Sequence, residues 1–408
     1  MDGDGSTGDT LRALRLGRGL TQEKLAEKAG LRPGVIKKIE GGGTARLETY
    51  HALARALGVR TAQLFDPAAL PPDNHADDHA VDLMPLRREI SPPVTLSGGL
   101  GLIDAGEAPH LVQIRDVAAA LSGAYNGDDY PRVAALLPRL LTSTRLAVAF
   151  HDDGPRQREA LRLRADALQM AGRFLTQVRA YDLAHVALRD AVHSAEAAGD
   201  RLAAAAAISA QGWTLLREGR LDEAESATAA TAEEIEPRIS RARPDELGVW
   251  GRLLRRASSA AARNNRPQEA RDYLRLARTA AIALGGRPAV RLHGWNRFDG
   301  LRVGLQAIEN QMVAHQPGRA LGLAERVPAS AASGSGNWRR HMLTVSQAHA
   351  MLRHSDEALG ILAGLHADAP EWLRHQRLAR DVFRDARRAR RRPLTVEQRA
   401  LGHALGVG

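Results

Sequence analysis

Apolar residues along this chain recur at intervals of three and four and almost nowhere alternate with polar ones, so the spacing predicts helices rather than strands. Residues 9–65 break into short segments of that kind. Leu11, Leu14 and Leu16 mark a first helix. Thr21 stands before Gln22, Glu23 and Lys24 as an N-cap, and Leu25, Ala26 and Ala29 give the inward face of a second helix. Gly30 supplies the left-handed backbone that a tight turn needs. Pro33 suits the first turn of a third helix, in which Val35, Ile36 and Ile39 face inward before Gly41, Gly42 and Gly43 end it. Leu47, Leu53, Ala54 and Leu57 define a fourth helix, and Leu64 with Phe65 a fifth turn.

The pattern changes over 66–108. Pro67, Pro71, Pro72, Pro85, Pro92 and Pro93, an acidic stretch and the glycines around Gly98 and Gly101 make this a linker, incompatible with one long helix. Residues 109–392 return to long amphipathic helices with short Gly, Asp, Asn or Pro breaks. Residues 393–408 form a tail with one last short helix from about Thr395. Within 109–392 a local pattern recurs: a turn, a polar pair, then a small residue. It runs from Arg179 to Ala184, Gly219 to Ala224 (GRLDEA), Asn265 to Ala270, His315 to Ala320 and Arg353 to Ala358. The alanines are spaced by 40, 46, 50 and 38 residues. A small residue early in a second helix lets it pack close against the first, and such pairs stack because no single pair buries its apolar face alone.

This segment resembles the tetratricopeptide repeats. Gly212 and Trp213 in the first helix, the turn at Gly219 and then Ala224 stand at that family's spacing, although its period of about 34 residues is shorter than the intervals here. The resemblance implies a right-handed helical solenoid; an irregular helical bundle is the alternative. The expected fold class is all-α: a five-helix N-terminal domain over 9–65, a linker over 66–108, helical repeats over 109–392 and a tail helix over 393–408.

Composition narrows the chemistry. None of the 408 residues is cysteine, which removes disulfides, zinc–thiolate sites and cysteine nucleophiles. The first nine residues are acidic and polar and lack a signal pattern, and no run of about 18 apolar residues stands out, so a cytoplasmic protein without a membrane span is expected. The richness in Arg, Ala and Gly suits a GC-rich bacterial genome such as that of an actinobacterium. His75, Asp77, Asp78, His79 and Asp82 carry metal-ligand types but sit in the linker without a second set of ligands. Gly98, Gly99 and Gly101 lack the Gly-Lys-Ser/Thr ending of a phosphate loop. No nucleophile elbow or paired-carboxylate frame occurs, so neither a cofactor nor an enzymatic role is expected.

Charge points elsewhere. The formal net charge is +10, and residues 9–65 hold 11 Lys or Arg against 5 Asp or Glu. All four lysines, Lys24, Lys28, Lys37 and Lys38, fall in that segment. Leu20-Thr21-Gln22, Leu25-Ala26, Ala29-Gly30, Ile36, Ile39-Glu40 and Leu53-Ala54 with Leu57-Gly58 resemble the lambdoid repressor and Cro family, also called the XRE family, in register over three helices. The resemblance implies a DNA-binding regulator whose third helix enters the major groove. Carried onto this chain, base reading falls to Arg32, Lys37 and Lys38. Pro33 and Gly34 occupy places where phage repressors often use glutamines, and neither side chain can hydrogen-bond a base edge. Gln22 takes the place of the family's phosphate-contacting glutamine; Thr21 caps or contacts, and Lys24, Arg18 and Arg46 are further phosphate candidates. Glu40 reads as structural. Solvation of these cations, with no nucleic acid involved, is the plain alternative.

An XRE head on a repeat body also resembles the peptide-sensing regulators of Gram-positive bacteria and the XRE-plus-repeat regulators of streptomycetes. That implies a homodimer on a palindromic double-stranded operator and a small-molecule or peptide effector. Candidate effector contacts are Trp213, Trp250, His293, Trp295, Asn296, Arg297, Asn310, Gln311, Trp338 and Arg339; a Trp in such a helix can equally serve as packing between repeats. Nine arginines from Arg374 to Arg392 stand at helical spacing, as a solvated terminal helix, a phosphate contact or a dimer seam. A protein-interaction scaffold with a vestigial helix-turn-helix is the competing reading of the whole chain.

Overall fold

The computed structural model describes residues 7–45, 47–57, 59, 64, 82–93, 109–127, 129–287, 289, 297–328, 336–390 and 392–407. The described residues form helices and no strand; Ala289 and Phe298 pair as an isolated antiparallel bridge. The chain divides into two compact units, residues 1–80 and 81–408.

The first unit holds α1 (Thr7–Leu16), α2 (Gln22–Ala29), α3 (Pro33–Glu40) and α4 (Leu47–Leu57). The residues expected inside are inside: Leu11, Leu25, Ala26, Ile36, Ile39 and Leu53 are buried in one cluster, joined by Leu57 and Leu64. Leu16 is the last residue of α1, as its spacing implied. It is 58% exposed, because α1 ends there and only the Leu11 and Leu14 side of the helix meets α3. Phe65 lies outside the described residues.

The second unit begins inside the expected linker. Met84–Ile90 forms a short helix, α5, and its Leu86 and Ile90 are buried in the main core of this unit. The linker reading is therefore corrected for residues 82–93: Pro85 sits in the first turn, where a missing N–H costs nothing. Residues 94–108 lie outside the described residues.

From there helices follow one another. They are α6 (Leu111–Asn126), α7 (Tyr130–Phe150), α8 (Gly154–Gln177), α9 (Tyr181–Ala197), α10 (Arg201–Glu218) and α11 (Leu221–Glu234). After a short 3-10 turn at Ile239–Arg241 come α12 (Pro244–Arg263), α13 (Pro267–Ala283), α14 (Gly300–Val313) and α15 (Pro317–Ala324). The last are α16 (Gly336–Met351), α17 (Ser355–Asp368), α18 (Pro370–Arg374), α19 (Arg377–Ala389) and α20 (Val396–Ala404). From α6 to α19 each packs on its sequence neighbour, α20 packs on α17, and α8, α10, α12, α14 and α16 also pack each on the next of that set. The result is a row of five stacked helical hairpins.

The recurring turn explains the hairpins. The first residue of all five copies has a left-handed backbone: Gly219 at φ 85°, Arg179 at 65°, Asn265 at 56°, His315 at 54° and Arg353 at 63°. The following alanine is almost fully buried in every copy, from Ala184 to Ala358. Twelve residues before each alanine stands its partner on the first helix: Gly172, Gly212, Ser258, Ile308 and Ser346. The helices approach closely here. A Cβ at Gly172 would lie 2.3 Å from Leu188 Cγ, and one at Gly212 would lie 2.5 Å from Thr228 Cγ2. Ser258 and Ser346 use the same closeness to donate to the carbonyls of Ala270 and Ala358, at 2.7 and 2.8 Å.

The helix Tyr130–Phe150 is long and apolar enough, by length and composition, to cross a membrane. In the fold its Tyr130, Val133, Leu137, Leu140 and Leu141 are core residues of the second unit. At the far end, α19 buries Ala379, Val382, Phe383 and Ala386, so the arginine run is one face of an amphipathic helix rather than a wholly solvated one. Its arginines hold the terminus. Arg390 pairs with Asp356 at 2.7 Å and donates to Gln398, and Arg387 donates to the carbonyl of Val407. Thr395 and Gln398 close a reciprocal capping box at the start of α20. Arg391 lies outside the described residues.

Candidate DNA interface and an arginine-lined cavity

In the first unit α2, a tight turn and α3 form a helix-turn-helix. The Thr21 hydroxyl accepts from the Lys24 N–H at 3.2 Å, which makes it the N-cap of α2. Gly30 ends α2 at φ 68°, and its N–H returns to the carbonyls of Ala26 and Glu27. Pro33 opens α3 after Arg32, whose side chain makes no cap bond. Burial of Ile36 and Ile39 turns the other side of α3 outward, so Arg32, Lys37 and Lys38 are all exposed. Pro33, Gly34 and Lys24 are exposed with them. Arg18 donates to the carbonyl of Leu14, and Arg46 lies outside the described residues.

Glu40 is structural. Its carboxylate takes Arg15 Nε at 2.7 Å and Nη2 at 3.0 Å, and the two side chains are 5% and 9% exposed. Arg15 also donates to the carbonyl of Leu20, so one guanidinium ties the end of α1 to the end of α3 and the segment before α2. Burial pushes the Glu40 carboxyl up, but hydrogen bonds from Arg15 and Gln22 outweigh it and hold the group below the ordinary carboxylate range. Gln22 is drawn into this network, its amide donating to Glu40 at 2.7 Å. The amide nitrogen carries a second N–H, which stays free to meet a phosphate.

In the second unit the expected effector residues scatter. Trp250 is 3% exposed and belongs to a core cluster with Leu253 and Phe298. It packs because α12 presents its small residues to Ala289 and Phe298. Arg339 is likewise withdrawn, donating to Asp368 at 2.9 Å. Trp338 lies against His341, ring centres 5.2 Å apart, and faces a separate cleft beside α14. Asn310 donates to Ser258 and accepts from Gln306, inside the hairpin stack; Gln311 is half-buried. Trp213 and Arg297 do reach one cavity, Arg297 paired with Asp299 at 2.9 Å. His293, Trp295 and Asn296 lie outside the described residues, as do His75 to His79 and Gly98 to Gly101.

What sequence reasoning missed is the cavity itself, about 230 Å³, on the inner side of the stacked first helices. The repeat register specifies its lining. Six residues before the small position stand Ala206, Arg252, Arg302 and Arg340. One residue after it stand Arg173, Trp213, Ser259 and Glu309, and five after it Gln177, Arg217 and Arg263. Offsets of minus six, plus one and plus five fall on one helix face. Arg255 and Arg256 complete the set from α12. Tyr125, Tyr130 and Trp372 come from the two ends of the row, which meet where Tyr130 approaches His375 at 5.6 Å between ring centres.

Among the described residues nine arginines and one carboxylate, Glu309, line this space. Arg263 pairs with Glu309 and Arg302 with Asp299. Arg255 reaches only the neutral Gln306 oxygen, at 3.1 Å. Arg173 and Arg340 lie over the Trp213 ring at 5.9 and 5.7 Å, as cation–π neighbours. Burial, then the charges of Arg302, Arg340 and Arg173 working against Glu309, pushes Arg255 down to about 10. Burial and the neighbouring Arg255 and Arg173 push Arg256 well below its ordinary value. A guanidinium keeps its proton in a protein, so these directions register crowding of like charge.

Comparison with known proteins bears on the first unit. A protein-family model described as Helix-turn-helix matches residues 11–64. This match marks the N-terminal unit as the module of DNA-binding regulators, in agreement with the geometry above. None of the curated proteins matches the chain.

Proposed function

We propose that this protein is a sequence-specific transcription regulator. In this reading α3 enters the major groove of double-stranded DNA, with Arg32, Lys37 and Lys38 as readers and Lys24 as a phosphate contact. The observation that carries it is the row of exposed cations on α3 of a helix-turn-helix, on the side opposite Ile36 and Ile39. A homodimer on a palindromic operator follows from how such modules read two half-sites. We read the second unit as a tetratricopeptide-like solenoid, on the support of its five equivalent turns, and its cavity as the effector site. The protein acts by binding and not by catalysis, in the cytoplasm and away from membranes.

Gel-shift titration against DNA upstream of its own gene tests this. Binding is expected and weakens steeply as salt rises. A folded protein that shows no salt-dependent retardation at low ionic strength removes the reading. Pro33 and Gly34 favour a second one, a scaffold with a vestigial helix-turn-helix, because they reduce the side chains on α3 that can address a base edge. Charge reversal at Lys37 and Lys38 separates the two, since a scaffold keeps its function.

A further inference from the structure

We infer that the cavity in the helical unit is a binding site for a compact polyanion, a small molecule carrying at least two phosphate or carboxylate groups. The inference rests on the preceding reading only for what the ligand would regulate; the site itself stands on the geometry of the helical unit.

Among the described residues the charge around the cavity is not balanced. Glu309 is engaged by Arg263, and Asp299 by Arg297 and Arg302. Among the described residues Arg217, Arg256 and Arg340 form no ion pair, and Arg255 meets a neutral oxygen. Nε of Arg255 and Nε of Arg256 are buried without a hydrogen-bond partner. Taking a charge out of water without a counter-charge is expensive, and here several such charges stand around one space on α10, α12 and α16. Water in the cavity can solvate them but cannot neutralise them. An anion does both, and the planar fork of a guanidinium fits phosphate and carboxylate oxygens two at a time.

The arrangement also limits the ligand's size and charge. Trp213 holds Arg340 and Arg173 on its ring, so these side chains are braced rather than free to swing out to solvent. The cations come from α10, α12 and α16, on different sides of the space, so one anionic group cannot reach them all. A ligand with two or more does. The volume of about 230 Å³ is below the usual range of about 300–1,000 Å³ for organic ligands, which favours a compact molecule over an extended chain.

The test uses the full chain with tripolyphosphate and citrate, which separate a phosphate from a carboxylate ligand. Isothermal titration at matched ionic strength should show saturable binding of at least one probe, one per chain, and the melting temperature should rise by about 5 °C at saturation. Arg256→Met removes one crowded charge. It should leave the free protein no less stable, and should weaken the probe at least about tenfold. Arg217→Gln is read the same way if that variant does not fold. Lys37→Glu with Lys38→Glu should keep the probe. Failure of both probes to saturate overturns the site. So does binding that survives Arg256→Met and Arg217→Gln but disappears in the α3 variant, because the ion then sits on the exposed cations. Tighter binding of hexaglutamate than of either probe overturns the compact ligand. A probe that binds at the cavity but leaves the gel shift unchanged removes the effector role and not the site.

Discussion

The protein carries positive charge in two contrasting settings. On α3, Arg32, Lys37 and Lys38 project into solvent. In the helical unit, Arg255, Arg256 and Arg340 line one small cavity. Exposed cations are solvated and repel weakly across water, so they can wait for a polyanion at no cost to the fold and bind it in a salt-dependent way. Half-buried cations crowded around one space raise the free energy of the unliganded state, and their presence is informative for that reason. The Arg15–Glu40 pair shows the third case. There the side chains are more deeply buried still, but a carboxylate and a carbonyl satisfy the guanidinium, and the pair secures the helix-turn-helix.

The predictions bear on that contrast. Glu40→Ala strands the buried Arg15 charge and should cost about 3–5 kcal/mol, read as early unfolding of the first unit in a denaturant titration; an unchanged midpoint would place this pair with the solvated cations. The pH profile shares its sign. With the folded carboxyl held below its ordinary 4.5, the contribution is complete above that value and disappears as pH falls through the lower folded one. Next in size, Lys37→Glu with Lys38→Glu should weaken DNA binding by about 100-fold or more at low salt while circular dichroism stays unchanged. A retained shift would move the interface off α3. Gly172→Ala pushes a methyl into Leu188 and should destabilise the helical unit by about 1–3 kcal/mol, measured by calorimetry. The smallest effect is at a turn. Arg353→Gly relieves a left-handed backbone at φ 63° and should stabilise by about 0.5–1 kcal/mol; a loss of stability would mean that the Arg353 side chain carries a contact outweighing the strain.

Much of the first unit was legible because its signals are local. A cap at Thr21, a left-handed glycine at Gly30 and a proline at Pro33 each act within a turn or two of the chain. Leu16 belongs to the first helix, as its spacing implied, while its exposure at the helix end depends on what lies opposite. The five hairpin turns were legible for the same reason, even though only one copy has glycine at the left-handed position. Trp250 and Arg339 misled because unusual residue types drew attention, whereas the cavity is built from arginine, the commonest cation of the chain.

Sequence alone therefore determined the helices, the helix-turn-helix register, the exposed row on α3 and the recurrence of small residues across each turn. The register even held the lining of the cavity, as fixed offsets from Gly172, Gly212, Ser258, Ile308 and Ser346. Tertiary structure alone decided that those faces converge. An arginine in a long helix carries the same local signal whether it meets water, a carboxylate or other arginines. Only the stacking of first helices, and the meeting of Tyr130 with His375 245 residues further along the chain, make the difference, because desolvation and repulsion are set by what lies across the space.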